Sequence, residues 1–398
     1  MKESRLYKPL LIFVLILAII SLACNLGSDA EPTQPAPTAE QAQVEPTSTL
    51  ASTPAPEATA TPEPTEPPPP TETPIPTETP VAAPPGMSRS NPFPAAELVS
   101  APNWDIQVLE VKRGEEAWKE IQAAFEYNAA ASEGMEYLIV KLYVKSTYAD
   151  SEEHNLNYCD FNATGDRLLQ YTCGSAPTIG PEPQLDVTLF AGGEAEGWVQ
   201  FMVAQGEGDM ILVFDEAMNF EENTERFIAL DEGASISISP DLAAIKPNDL
   251  GTERSNPALI NEKVITEDWE VTVLEVVRGE EAWTVVKEAN SYNEPPAEGL
   301  EYIVVRTQVR FIGTEEKPQL IFGNGGYYTT TGSANVVYDD TTFVIPPSPV
   351  LTCTAYPGGE CEGWSVLEAG TGETGVVLVF EPILDFSGLN QRYLSLEE

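Results

Sequence analysis

Trp104-Asp105-Ile106-Gln107-Val108-Leu109-Glu110-Val111 opens on alternating apolar and polar residues, and 165 positions later Trp269-Glu270-Val271-Thr272-Val273-Leu274-Glu275-Val276 does the same. A period of two puts Trp104, Ile106 and Val108 on one face of an extended chain, so each stretch is predicted as a strand with one buried side. The match continues outward on both flanks. Arg89-Ser90-Asn91-Pro92 pairs with Arg254-Ser255-Asn256-Pro257, Arg113-Gly114-Glu115-Glu116-Ala117-Trp118 with Arg278-Gly279-Glu280-Glu281-Ala282-Trp283, and Tyr127-Asn128 with Tyr292-Asn293. From 88 to 145 there are 26 identities in 58 ungapped positions. Past a variable middle the offset becomes 166, where Gly192-Gly193-Glu194-Ala195-Glu196-Gly197-Trp198 meets Gly358-Gly359-Glu360-Cys361-Glu362-Gly363-Trp364. That period is too long for a solenoid repeat and indicates a tandem domain duplication.

Within each unit, Tyr137 to Val144 is apolar on both faces, as a central strand requires, and further strands are predicted near 155–162, 167–173, 185–190, 196–204, 210–214 and 226–230. Glycine-rich turns separate them, a pattern expected of an antiparallel sandwich. One helix interrupts it, Glu115 to Tyr127, with Trp118, Ile121 and Phe125 on one face and Glu115 and Glu116 favouring its N-terminal dipole. Trp118 and Trp283 are expected to plug the sandwich edge, Gly192-Gly193 and Gly358-Gly359 to turn, and Trp198 and Trp364 to lie in the core. The predicted fold is all-β: two tandem antiparallel β-sandwiches over 88–249 and 250–398, each with one short helical insert.

Residues 1–23 read as an export signal, with Lys2, Arg5 and Lys8 before the apolar run Leu10 to Ile20. The run is short of the ~20 residues that span a bilayer comfortably. Ser21-Leu22-Ala23-Cys24 resembles the lipobox of bacterial lipoproteins, which implies a diacylglycerol on the Cys24 thiol and cleavage before it, although Ser21 departs from the commonest Leu there. An uncleaved single-pass anchor and free secretion are the alternatives. Two or three acyl chains would hold the protein stably at the membrane. Residues 24–87 then form a predicted disordered stalk, with 17 Pro and 12 Thr between 25 and 86 and no Lys or Arg there. Extended as polyproline II it would reach roughly 190 Å at most. It is read as a spacer, with a neutral linker as the alternative.

The chain holds 63 Asp and Glu against 20 Lys and Arg, a net charge of −43, of which −20 falls on 87–249 and −16 on 250–398. That balance opposes binding to nucleic acid or other polyanions, which rests on Lys and Arg at phosphates. The one histidine, His154, sits in a polar stretch without a counterpart in the second copy and is expected to be a solvated loop residue rather than a catalyst. There is no phosphate-binding glycine loop and no Asp-x-Asp-x-Asp-Gly calcium loop, and Asp339-Asp340 and Glu221-Glu222 read as solvated surface. No catalytic, cofactor or metal residue is assigned. Apart from Cys24, two cysteines fall in each copy, Cys159 with Cys173 and Cys353 with Cys361, each pair flanking a turn. In an exported chain this favours two disulfides over free thiols or metal ligation.

The series W-x-V-x-V-L-E-V, E-G-x-E-Y-x-x-V, G-G-E-x-E-G-W and L-V-F-[DE] resembles a bacterial family of exported, often lipidated domains of unknown function. The resemblance covers about 100–232 and 265–396 and implies a telokin-like, immunoglobulin-like sandwich; it transfers no catalytic site. The expected role is a lipid-anchored, extracytoplasmic binding or adhesion protein of the cell envelope, held to the membrane through Cys24, with a protein or wall polymer as partner. An envelope hydrolase or enzyme accessory, and a structural spacer, are the alternatives. The loops 146–186 and 311–350 differ most between copies and are the expected seat of specificity.

Overall fold

The computed structural model describes residues 84–216, 223–323, 327–339, 344–382, 385 and 387–397. The expected signal, Cys24 and nearly all of the stalk lie outside them. Every described residue belongs to the unit Thr77–Glu398.

Its first half runs β1 (Val99–Ala101), β2 (Trp104–Arg113), α1 (Gly114–Ala124), β3 (Met135–Ser146), β4 (His154–Asn157), β5 (Phe161–Thr164), β6 (Leu169–Tyr171), β7 (Asp186–Leu189), β8 (Glu194–Ala204), β9 (Ile211–Phe214) and β10 (Arg226–Ala229). The second half repeats the order as β11 (Val264–Ile265), β12 (Trp269–Arg278), α2 (Gly279–Ala289), β13 (Leu300–Phe311), β14 (Gln319–Phe322), β15 (Tyr328–Thr331), β16 (Val337–Asp339), β17 (Thr352–Ala355), β18 (Glu360–Gly370), β19 (Val377–Phe380) and β20 (Arg392–Ser395). One face of each sandwich is a four-stranded antiparallel sheet, β1-β2-β3-β8 and β11-β12-β13-β18. The fold is all-β with two short helices, as the alternation requires.

Trp104, Ile106 and Val108 face inward together with Leu138, Val140, Leu142, Val199, Phe201 and Val203, and meet Phe161, Leu212, Phe214 and Ile228 from the opposing sheet. Burying each large apolar side chain stabilises by roughly 1.5–3 kcal/mol. The alternation does not run unbroken. A β-bulge between Val108 and Glu110, repeated between Val273 and Glu275, takes Leu109 out of register and leaves it exposed. The bulge turns Val111 back toward Val140 and sets Glu110 opposite Lys141.

The second face differs from expectation in two ways. The predicted strand at 155–162 is broken: Asn157 accepts from the Cys159 amide and Asp160 accepts from the Asn157 amide, a capping box that opens a 3₁₀ turn over Tyr158–Asp160. The turn carries the chain from β4, paired with β7, to β5, paired with β9. The two halves also share a sheet, ordered β10-β9-β5-β6-β17-β14, in which β6 of the first half pairs with β17 of the second. Its equivalent strands in the second half form the shorter sheet β16-β15-β19-β20.

At this junction Gln170 pairs with Thr354 and Leu169 with Ala355, and the Tyr356 amide donates to the Leu168 carbonyl at 2.8 Å. Leu169 packs against both cores. Arg89 is fully buried, its guanidinium 3.8 Å from the Tyr356 ring centroid and its Nε donating to Glu316 at 2.6 Å. Nearby, burial holds the Glu225 carboxyl above its usual range, with Asp215 adding to the effect and Lys317 opposing it. Burial raises Asp215 in the same sense, with Asp160 adding to it.

A carboxyl whose folded-state value is raised makes ionisation oppose folding. Its contribution to stability therefore falls as pH rises through the raised value, and acidification from neutrality recovers it until the ordinary carboxylate range near ~4 is reached. Asp215→Asn is accordingly expected to melt above the parent protein at about pH 7, with the difference closing toward about pH 4. Parallel thermal melts across that range check it; a lower melting temperature at neutral pH would contradict it.

Candidate functional site

Gly114 and Gly279 open the helices at φ of +54° and +64°, a left-handed turn from strand to helix that explains the glycine in both Arg-Gly-Glu-Glu motifs. α1 then lies on the outer face of the β1-β2-β3-β8 sheet, where Ala117 and Ile121 cover Tyr137 and Ile139. Trp118 stacks on Tyr137 at 5.8 Å and 16°, and Trp283 packs on Tyr302. These tryptophans cover the sheet face and do not plug an edge, because the bulged β2 brings the helix back over its own sheet. The helix ends at Ala124, short of the predicted Tyr127, and Phe125 is extended and 40% exposed.

The residues after the helix are held by one side chain. Asn128 donates from Nδ2 to the Ile121 carbonyl at 2.7 Å and the Ile179 carbonyl at 2.8 Å, and its Oδ1 accepts from the Ile179 amide at 3.0 Å. Asn293 makes the same three bonds, to Val286 and Ile345. Each asparagine thus ties the end of a helix to a loop 51 or 52 residues on, and the tyrosine before it is left outward: Tyr127 is 77% and Tyr292 91% exposed. Large apolar rings exposed at matching positions on a fixed backbone are what a recognition surface requires.

In the first half these residues border a groove of about 710 Å³ between the segment that follows α1, the 173–180 loop and the outer face of β8. Phe125, Tyr127, Tyr158 and Trp198 supply aromatic surface, and Asn128, Gln184 and Gln200 supply amides. Among the described residues no acidic or basic side chain lines it, in a chain of net charge −43. The volume lies within the 300–1,000 Å³ range of small-ligand sites. Gln200 donates to the Thr178 carbonyl at 2.5 Å while its buried Oε1 is without a hydrogen-bond partner. Trp198, expected in the core, is half-buried on this outer face, 5.3 Å from Lys112 Nζ. Inward-facing positions on β8 alternate with it, and the inner position beside it is Gly197.

The predicted cysteine pairs are both joined. Cys159–Cys173 has Cα atoms 5.0 Å apart and links the turn carrying Tyr158 to the start of the 173–180 loop, so it ties two walls of the groove together. Cys353–Cys361, with Cα atoms 6.6 Å apart, links β17 to β18 in the second half. Residues 324–326 and 340–343, beside the corresponding region of the second half, lie outside the described residues, as do Glu221, Glu222 and Asp340.

His154 is not a solvated loop residue. It begins β4, stacks on Tyr148 with ring centroids 3.4 Å apart, and Nε2 lies 2.9 Å from Asp150 Oδ1. Tyr148 donates to Glu216 at 2.8 Å, and burial, then that carboxylate, pushes its hydroxyl up to about 12. Among the described residues no group of three or more His, Cys, Asp or Glu is placed to hold a metal ion, and no helix is long and apolar enough to cross a membrane.

A buried glutamate in each half escaped the sequence reading. Glu207 accepts from the Tyr171 hydroxyl and Glu373 from the Tyr338 hydroxyl, while Arg113 and Arg278 donate to the backbone carbonyls of the same two glutamates. Burial raises Glu207 against the pull of Tyr171 and the Arg167 amide. At Glu373 burial pushes up too, but bonds from the Ala334 amide, Tyr338 and the Gly370 amide outweigh it and hold the carboxyl low. The shared spacing of Arg, Glu and Tyr was visible in the repeat; in each half these contacts tie the strand ends that carry them together.

No protein-family model matches the chain, and no curated protein does. Among solved structures it is similar to a lipoprotein candidate from Bacillus subtilis, at 17% identity over 34% of this chain and 38% of that one, with a TM-score of 0.25. It is also similar to the YjhA protein from Bacillus subtilis, at 14% identity over 35% of this chain and 99% of that one, TM-score 0.24. A third similarity is to an uncharacterized β-sandwich protein from Clostridium difficile, at 10% identity over 36% of this chain and 96% of that one, TM-score 0.23. The chain thus spans well under half the length of the first of these proteins.

Proposed function

We propose that this chain is a non-catalytic binding protein of the bacterial envelope, tethered through lipid on Cys24, whose groove beside α1 takes a neutral stretch of wall polysaccharide. The observation that carries the reading is the lining itself: aromatic faces and amides, with no charged side chain, on a protein otherwise dense in carboxylates. Pyranose rings offer apolar faces that stack on aromatic rings and hydroxyls that pair with amides, whereas an anionic polymer would meet the repulsion of the surrounding surface. The paired Tyr127 and Tyr292 suit a repeating ligand, since two weak contacts on one polymer reinforce each other. The signal and stalk sequences support display outside the membrane, as read above.

Tyr127→Ala is the sharpest test, because the ring is mostly exposed and its one ring partner is Phe125 at 5.4 Å, so removing it leaves the fold intact. In a co-sedimentation assay with purified wall polysaccharide stripped of phosphate-containing polymers, this variant is expected to bind about 10- to 30-fold more weakly, the cost of an aromatic anchor. Undiminished binding by the variant, or no binding by the parent protein, would end this reading.

A further inference from the structure

We propose that a second copy of this chain docks head to tail on the first, with β16 of one molecule adding to the free edge of β7 in the next. The contact β6 makes with β17 inside each molecule supplies the template.

Each half carries both sides of that contact, and only one of each is used. β7 is the counterpart of β17, and Phe190 stands 166 positions before Tyr356. β16 is the counterpart of β6: Gly332 and Tyr338 stand 167 positions after Gly165 and Tyr171, and Leu168 and Asn335 share a left-handed backbone at φ +62° and +58°. Arg254 is the counterpart of Arg89. The buried junction consumes β6, Leu168 and Arg89 of the first half and β17 and Tyr356 of the second. What remains is a β16 edge with Arg254 at one end of the molecule and a β7 edge with Phe190 at the other.

Both remaining edges keep the character of an interface. β16 lies at the edge of its sheet, and Val336 and Val337 are 48% and 63% exposed there. β7 pairs on one side with β4, and Phe190 is 60% exposed where Tyr356 is buried. The Phe190 amide has no backbone partner among the described residues, whereas the Tyr356 amide is paired with Leu168. Soluble proteins ordinarily blunt a free edge strand with Lys, Pro or a cover. Neither edge strand holds Lys or Pro. Superposing the junction on the free ends sets Val337 opposite Thr188 of the next copy, the Asn335 carbonyl opposite the Phe190 amide, and the Arg254 guanidinium over the Phe190 ring. In the single molecule Arg254 donates to the Asn335 side chain and the Gly332 carbonyl and lies within electrostatic reach of Glu373.

Such a contact is heterologous, so it leaves a fresh edge at each end and builds open chains. Both partners are acidic, so association should strengthen as added salt screens them. The test is sedimentation velocity on the full-length chain in non-ionic detergent, over a concentration series at low and high salt. The expected result is a weight-average size that grows past the dimer with concentration and with salt. Phe190→Ala, which disables the β7 end, and Val337→Lys, which disables the β16 end, each weaken self-association at least tenfold. Mixing the two variants restores a complex that stops at the dimer, because each still carries one intact and complementary end. Arg254→Ala replaces Val337→Lys if the lysine variant loses the parent melting temperature. A parent protein that stays monomeric at high salt, variants that associate like the parent, or a mixture of folded variants that does not dimerise would each overturn the proposal.

Discussion

Glu316→Ala is expected to cost about 3–5 kcal/mol of stability, as does any change that leaves a buried charge without its partner. Arg89 is 0% exposed, and among the described residues its hydrogen bond runs from Nε to Glu316, while the buried Nη1 and Nη2 find no partner there. A guanidinium does not lose its proton within a protein, so it cannot escape the penalty by neutralising. The Tyr356 ring below it contributes a cation–π attraction of about 2 kcal/mol, and that attraction survives in the variant. Asp215 and Glu225 lie close enough to bear on the same tyrosine, but burial disfavours the ionised form of each, so they offset only part of the loss. Urea unfolding of parent and variant measures the difference, and a cost below ~1 kcal/mol would show that those acids had taken over the pairing.

The same argument separates the pair from its parts. Arg89→Met with Glu316→Gln removes the stranded charge along with its partner and fills the site with a flexible apolar chain over Tyr356. The double variant should recover most of what Glu316→Ala loses, since a buried ion pair exchanged for apolar packing is often neutral. Arg254→Ala, the change at the matching position of the second half, should cost only about 1 kcal/mol, because that half-buried side chain strands no buried charge when it is removed. One residue type in one repeated motif thus has two energetic roles, and the difference lies in what sits opposite.

That contrast marks how far the sequence could be read. The strands were legible because burial on one face imposes a period of two, and Trp104, Ile106 and Val108 obey it. The bulge at Leu109 was not, since one inserted residue in a chain of Val and Leu leaves no compositional mark. The break at Asn157 was written as an Asn and an Asp three apart within an apparent strand, a capping signal outweighed there by the surrounding apolar residues. The junction was beyond reach: Arg89 meets Glu316 across 227 residues, and nothing in Arg-Ser-Asn-Pro distinguishes the fully buried copy from the half-buried one. The groove was half visible. The variable loop 146–186 supplies one of its walls, but the recurrence of Tyr-Asn at 127 and 292 marked only the repeat, and the asparagine clamp that turns the tyrosine outward depends on Ile179 and Ile345 far along the chain.

Gly363→Ala should cost about 4 kcal/mol, near the upper end for a single substitution. The glycine sits in the Gly-Gly-Glu-x-Glu-Gly-Trp motif, whose first two glycines were read as turn residues. Gly363 lies within β18, and a Cβ there would come 2.4 Å from the Leu351 nitrogen and 2.6 Å from the Val350 carbonyl carbon. Those are backbone atoms, so no rotamer change relieves the clash. The crossing segment is fixed in turn by two bonds to the next residue, from the Trp364 amide to the Pro349 carbonyl at 2.8 Å and from the Leu351 amide to the Trp364 carbonyl at 3.0 Å. Making room for one methyl must stretch both and lift the fully buried Leu351 out of the core. Gly197 stands in the same relation to Leu185, with a Cβ 2.6 Å from its Cα, so Gly197→Ala should cost about as much. Gly192 is the control. Its φ of +78° makes alanine strained, but nothing lies within 4 Å of the added carbon, and the expected cost is only about 1–2 kcal/mol. Chemical denaturation of the three variants would rank them, and equal losses at Gly192 and Gly363 would mean that backbone conformation, and not the crossing chain, accounts for the third glycine of the motif.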